Sequence, residues 1–348
     1  MTTTITTGRN SVTNFTGYME NFNATFLPSS FTSYKHEVNG VFYGVYGASE
    51  GSLFGPSPQA AGYIIGNGYG AESTPQTVSR LLFGNGVFST GDDLQMSAPR
   101  YTVEFAPVLA GAPADKIIDE VQSLGKFSKT GVDALLDMIF AEDVVFFGAG
   151  GGDVFTGTNN ADHLNGKAGD DTLKGGKNAD TILGGTGSDS LKGGNGHDTI
   201  KGQKGADVVS GGKGNDTIFG GNGKNTLKGG ADNDEIQGGA KADTIKGGGG
   251  ADTMNAGGGI NTVTGGKGAD HFVFTGAFKK TVIKDFGRGN DQLDFSNFSN
   301  EATSLAQFKN ASTERKGKVI YDMGGDDQNK IVLLDTDLSD LSASDFIF

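Results

Sequence analysis

The 348-residue chain has no cysteine, which excludes a disulfide framework and any thiolate metal site. Stability must therefore come from packing and from metal held by oxygen. No run approaches the ~20 apolar residues that a membrane helix needs, so no membrane span is expected. The opening residues MTTTITTGRN lack a basic segment followed by an apolar stretch, and no secretory signal peptide is read there. Basic residues are also in deficit: 28 Lys and Arg stand against 41 Asp and Glu, for a net charge of −13. That balance disfavours nucleic acid as a partner and favours divalent cations. With 35% hydrophobic residues and 60 glycines, one ordinary core cannot run the full length, and two or three domains are expected.

The glycines concentrate in a tract that is strictly periodic. An acidic or amide residue recurs every ninth position, at Asp153, Asp162, Asp171, Asp180, Asp189, Asp198, Asp207, Asp216, Asn225, Asp234, Asp243, Asp252, Asn261 and Asp270. Each stands two residues ahead of an apolar one, from Phe155 and Leu164 through to Val263 and Phe272. The pattern G-G-x-G-x-D-x-U-x is the signature of calcium-binding nonapeptide repeats in a parallel β-roll. An Asp/Gly-rich tract without phase would read as a solvated, disordered linker; unbroken phase argues against it.

Two nonapeptides make one turn, so the loops sort into two stacks whose neighbours are 18 residues apart. Calcium takes six to eight oxygens, available here from Asp side chains and from main-chain carbonyls of the glycine turns. Seven loops in each stack leave six gaps, a ceiling of about twelve interloop sites. One stack is acidic throughout, from Asp162 to Asp270, whereas the other contains Asn225 and Asn261. Asp232 and Lys241 also stand where other units have Gly or Asn. The expectation is that the all-Asp stack fills first. Without calcium, clustered carboxylates and a narrow core favour an unfolded chain, and metal binding supplies the folding free energy.

Lys174, Lys192, Lys228 and Lys246 each follow an inward residue on one sheet, with Ser210 at the middle turn. Strands about 4.8 Å apart would set these ammonium groups in a row. The row reads either as a solubilising face or as a ladder for an anionic polysaccharide.

After the repeat, HFVFTGAF, TVIKDFGRGNDQLDFSNF and KVIYDMGGDDQNKIVLLD read as strands and hairpins covering the open end of the roll. Repeats followed by VIKDF, GND and QLDF and by the terminus LSDLSASDFIF resemble the RTX family of type I secretion substrates over residues 148–348. The resemblance implies export from a Gram-negative cell through the type I machinery, directed by an uncleaved C-terminal signal.

Residues 1–147 differ in texture and are expected to form a separate domain. Phe15, Tyr18, Met19 and Phe22 fit one helix, and a second helical pair follows Pro113, with Val132, Leu135, Leu136, Ile139 and Phe140 on one face. VFYGVYG, RLLFGNGVF and RYTVEFAPV between them suit antiparallel strands. The expected fold class is thus an α+β domain at 1–147, an all-β parallel β-roll at 148–275, and a β-rich cap with the secretion signal at 276–348.

Catalytic signatures are weak. His36-Glu37 has no second His at i+4, so a zinc-protease helix fails. Gly47-Ala48-Ser49-Glu50-Gly51 matches G-x-S-x-G, but the downstream histidines, His163, His197 and His271, belong to the roll as outward polar positions. No enzyme is expected. The order of TF, FYG and RLLFGNGV, closing in GVDALLDMIF, resembles the secreted haem-acquisition hemophores, which hold haem between two loops. That resemblance implies His36 and Tyr69 as haem ligands, although no His accompanies Tyr69. Two readings stand: a secreted calcium-binding protein that self-associates or adheres in an extracellular or biofilm matrix, and a haem-capturing module.

Overall fold

The computed structural model describes residues 143–148, 150–276, 278–297, 304–322 and 329–348, together with the backbone of six earlier strands. The chain divides into two compact units, Met1–Gly166 and Lys167–Phe348.

In the first unit, strands Phe31–Val38, Val41–Ala48, Gln59–Gly66, Thr77–Thr90 and Asp93–Ala110 pair antiparallel in chain order, and Thr2–Thr7 pairs antiparallel with the last of them. The segments VFYGVYG, RLLFGNGVF and RYTVEFAPV all lie in these strands, as their alternation suggests. The helices expected at Phe15–Phe22 and after Pro113 lie outside the described residues. Thr2–Thr7 also pairs in parallel with Asp143–Phe147, which pairs in parallel with His163–Ala168. Here Phe146 stacks on Phe155 with centroids 4.3 Å apart.

The second unit is dominated by the roll. Strands Thr181–Thr186, Thr199–Lys204, Thr217–Asn222, Glu235–Gly239, Thr253–Gly257 and His271–Val273 form one parallel sheet. Thr172–Lys177, Ser190–Asn195, Val208–Lys213, Thr226–Ala231, Thr244–Gly249 and Ile260–Lys267 form the other. Pairing is in register every 18 residues, as Leu173 opposite Leu191 and Ile182 opposite Ile200 illustrate. The apolar residue two places after each keyed position points inward: Ile182, Ile200 and Ile218 are fully buried. Each turn thus contributes two apolar side chains to a narrow core, and the adjacent turns on either side exclude water from them.

The nine-residue frame ends at Asp270, but the sheets do not. Lys280–Ile283 joins the second sheet beside Ile260–Lys267, and Gln292–Asp294 joins the first beside His271–Val273, both in parallel. Segment 281–298 is therefore not a hairpin; its two strands extend different sheets. The expected hairpin does form between Lys318–Asp322 and Lys330–Leu334, with Ser312–Glu314 added antiparallel at its edge. A short helix, Leu305–Asn310, unexpected from the sequence, starts at Ser304, whose hydroxyl accepts from the Gln307 N–H. It buries Phe308 against Tyr321, centroids 4.3 Å apart. Phe346–Ile347 closes the first sheet in parallel with Gln292–Asp294.

Candidate metal-binding loops

Each keyed residue sits at the end of a glycine turn, at or just before the start of a strand, and all are buried, the carboxylates despite their charge. In Lys167–Phe348 its side chain has one repeated job. Oδ1 accepts a hydrogen bond from the main-chain N–H of the keyed residue 18 positions earlier: Asp180 N–H to Asp198 at 2.9 Å, Asp198 N–H to Asp216 at 2.9 Å, Asp216 N–H to Asp234 at 2.9 Å and Asp234 N–H to Asp252 at 2.9 Å. The other stack does the same, from Asp171 N–H on Asp189 at 2.9 Å to Asp189 N–H on Asp207 at 3.0 Å. The carboxylates therefore lock successive turns together.

The second oxygen is left over. Oδ2 of Asp189, Asp198, Asp207, Asp216, Asp234, Asp243 and Asp252 is buried and accepts no hydrogen bond. A buried charged oxygen without a donor or counter-ion is costly, and here the cost repeats turn after turn. Burial raises the carboxyls of Asp189, Asp216, Asp243 and Asp270 to about 6. Asp234, buried and flanked by the like charges of Asp216 and Asp252, is raised to about 7. A column of desolvated anions with spare oxygens is a site built for cations.

The glycines give that column its shape. A Cβ on Gly211 would run into Asp216 Oδ2 and come within 2.8 Å of the Gly229 carbonyl oxygen on the next turn, so the carboxylate and a neighbouring carbonyl share the space that a side chain would fill. Gly212, at φ 132°, holds the turn in a conformation L side chains rarely adopt. Among the described residues no three His, Asp or Glu side chains converge as a ready-made cluster. A cation in these loops must then draw its remaining oxygens from main-chain carbonyls, which suits calcium's high coordination number. The residues present fit that ion.

The sequence frame missed two members of this system. Asp270 N–H donates to Asp291 Oδ1 at 3.0 Å, the same bond as in the repeat but across 21 residues rather than 18. The segment Gly287-Arg288-Gly289-Asn290-Asp291 repeats the loop pattern, displaced by three residues. Asp285 accepts from the Gly265 and Gly266 N–H groups at 2.9 and 3.0 Å. Its charge helps raise the Asp291 carboxyl, chiefly raised by burial.

His197 is more than an outward polar position. Its Nδ1 accepts from the Asn215 N–H at 2.8 Å, and Asn215 Oδ1 accepts from the Asn233 N–H at 3.1 Å, so a side-chain ladder runs along the loop edge. His163 is exposed, and His271 Nε2 lies 2.6 Å from Gln292 Oε1. Asp232 adopts φ 73° and accepts from the Gly214 N–H at 3.0 Å.

On the sheet bearing the lysines, Lys174 is opposite Lys192, Lys192 opposite Ser210, Ser210 opposite Lys228 and Lys228 opposite Lys246. All four lysines are exposed. The predicted row exists, interrupted at Ser210. A second row, Thr172, Ser190, Val208, Thr226 and Thr244, runs beside it.

The haem reading gains nothing here. His36 stands within a strand, opposite Tyr43, rather than in a loop, while Tyr69 and Ser49 lie outside the described residues.

Comparison with protein families agrees with the loops. Four copies of the RTX calcium-binding nonapeptide repeat match residues 156–191, 192–227, 228–263 and 247–274. No curated protein sequence matches the chain. Among solved structures, the extracellular lipase LipA from Serratia marcescens is similar at 15% identity with a TM-score of 0.24, over 59% of this chain and 40% of that one. The AlgE6R3 subunit of the Azotobacter vinelandii mannuronan C5-epimerase is similar at 19% identity with a TM-score of 0.22, over 50% of this chain and 80% of that one. The chain thus spans well under half of the lipase.

Proposed function

We propose that the chain is a secreted, non-enzymatic calcium-binding protein whose roll, residues 148–275, folds when it meets external calcium, with Asp153 through Asp270 as its metal positions. The observation that carries this reading is the column of buried carboxylates at Asp189, Asp198, Asp207, Asp216, Asp234, Asp243 and Asp252, whose Oδ2 atoms have no donor. Low calcium inside the cell keeps the carboxylates repelling and the segment unfolded for type I export; higher calcium outside the Gram-negative cell neutralises them and closes the turns. The stack from Asp162 to Asp270 fills first, and the loops around Asn225, Asp232 and Lys241 hold calcium least tightly.

Residues 1–147 then serve self-association or adhesion in an extracellular matrix, with the row of Lys174, Lys192, Lys228 and Lys246 available to an anionic polysaccharide. Two features support that partner: the cations are in register on one sheet, and the parallel row is mostly hydroxyl-bearing. Light scattering and imaging of the purified chain, with a chelator and then with millimolar calcium, tests the assembly. Particles that appear only with calcium support it, and a strictly monomeric product removes self-association.

A further inference from the structure

Two keyed positions carry an amide in place of a carboxylate, and the structure gives the extra group a partner. Asn225 Oδ1 accepts from the Asp207 N–H at 3.0 Å, and Asn261 Oδ1 accepts from the Asp243 N–H at 2.8 Å. These bonds repeat the turn-to-turn lock made by Asp189, Asp198, Asp207, Asp216, Asp234, Asp243, Asp252 and Asp270. They also fix the amide orientation, because the oxygen must face the N–H. The Nδ2 group is thereby turned to where an Asp would place Oδ2.

In the loops of Asp189, Asp198, Asp207, Asp216, Asp234, Asp243 and Asp252 that position holds an anionic oxygen without a donor. In the Asn loops it holds a donor that is used. Asn261 Nδ2 donates to the carbonyls of Gly257 and Gly258 at 3.1 and 3.0 Å, and Asn225 Nδ2 donates to the Gly223 carbonyl at 3.4 Å. Both residues are buried to within 1%. The same place in the loop thus carries an electron-rich atom seeking a cation in one case and an N–H dipole already on the loop's own carbonyls in the other.

From this we infer that Asn225 and Asn261 are built-in substitutes for calcium: their amides close the loops at 220–225 and 256–261 by hydrogen bonds to the carbonyls a cation would otherwise draw on, so these loops close without metal. The inference rests on the calcium reading of the roll. It goes further than weaker binding at an uncharged ligand, because it removes the site and supplies its replacement. A neutral amide also interrupts the line of like charges, which places a metal-independent turn in the middle of the roll and another beside the cap. Asn261, with two bonds, is the firmer of the two.

Native mass spectrometry of the full chain in excess calcium, on the wild type and on Asn261→Asp, Asn225→Asp and Asn261→Ala, tests this. Each Asn→Asp variant is expected to bind about one ion more than the wild type and to need more calcium to fold. Asn261→Ala is expected to keep the wild-type count while losing thermal stability. Wild-type counts in both Asp variants, or an ion lost in Asn261→Ala, would overturn the inference. If one Asp variant fails to fold, the other decides. A wild type that binds no calcium at all would instead overturn the underlying calcium reading.

Discussion

The roll and the cap that follows it are joined in the same sheets yet are held together by opposite means. In the roll, each nonapeptide buries one apolar side chain and, except at Asn225 and Asn261, one carboxyl, so the hydrophobic gain is offset by desolvated charge at nearly every step. In the cap, Phe295, Phe308, Tyr321 and Phe346 pack on one another, with Phe308 and Phe346 centroids 4.8 Å apart, and the hairpin is antiparallel. Aromatic burial of this kind stabilises without metal. The contrast teaches that regular backbone pairing does not by itself satisfy a core: the roll has the more perfect register and also the buried carboxylate oxygens without donors.

Calcium removal should separate the two most strongly. Hydrogen exchange with a chelator is expected to strip most protection from residues 172–273, least at the turns closing on Asn225 and Asn261, while 318–334 retain more of theirs; equal loss in both regions would merge them into one unit.

Next in size is pH. Keyed carboxyls from Asp189 to Asp270 are raised in the folded roll, from the ordinary 3.8 to about 6 for Asp216 and about 7 for Asp234, by burial first and like charge second. Folded metal-free chains therefore bind more protons than unfolded ones between pH 4 and about 7. Metal-free stability is greatest below that window and is lost as pH rises through it. Circular dichroism in chelator should show more β-structure at acid pH than at neutral pH, and protons should weaken calcium binding over the same range. A metal-free roll that gains structure as pH rises would reverse the sign and break the account.

Within the cap, Phe308→Ala should cost about 3–5 kcal/mol, read by thermal unfolding in excess calcium, with the calcium count unchanged. Ile200→Val in the roll should cost about 0.5–1.5 kcal/mol, since one methylene leaves a narrow core. A loss of bound calcium in Phe308→Ala would show that the cap and the roll are not held separately.

Much of this was legible in the residues. Unbroken phase from Asp153 to Asp270 implied the two stacks, the inward Leu and Ile positions and the lysine row, because a fixed period leaves little freedom to a solenoid. Asp291 escaped because a three-residue displacement takes it out of phase, although its Gly-Arg-Gly-Asn-Asp loop was a local cue. The roles of Asn225 and Asn261 escaped for another reason: sequence gives the amide but not which carbonyl lies within its reach. His197 looked like an outward polar side chain because nothing local announces that Asn215 presents its N–H one turn away. The helix at Leu305–Asn310 is too short for periodicity to reveal, and it depends on the tertiary contact of Phe308 with Tyr321.

The central claim is that calcium binding and folding of the roll are one event, driven by the carboxylate column. A calcium titration of the full chain at neutral pH, following bound calcium by equilibrium dialysis and β-structure by far-ultraviolet circular dichroism on the same samples, tests it most directly. The account predicts that the two curves rise together and that replacing Asp216 and Asp234 by Ala, which removes both the turn-to-turn acceptor and the spare oxygen, shifts both to higher calcium. A complete β-signal before any calcium is bound, or calcium bound with no change in structure, would contradict it.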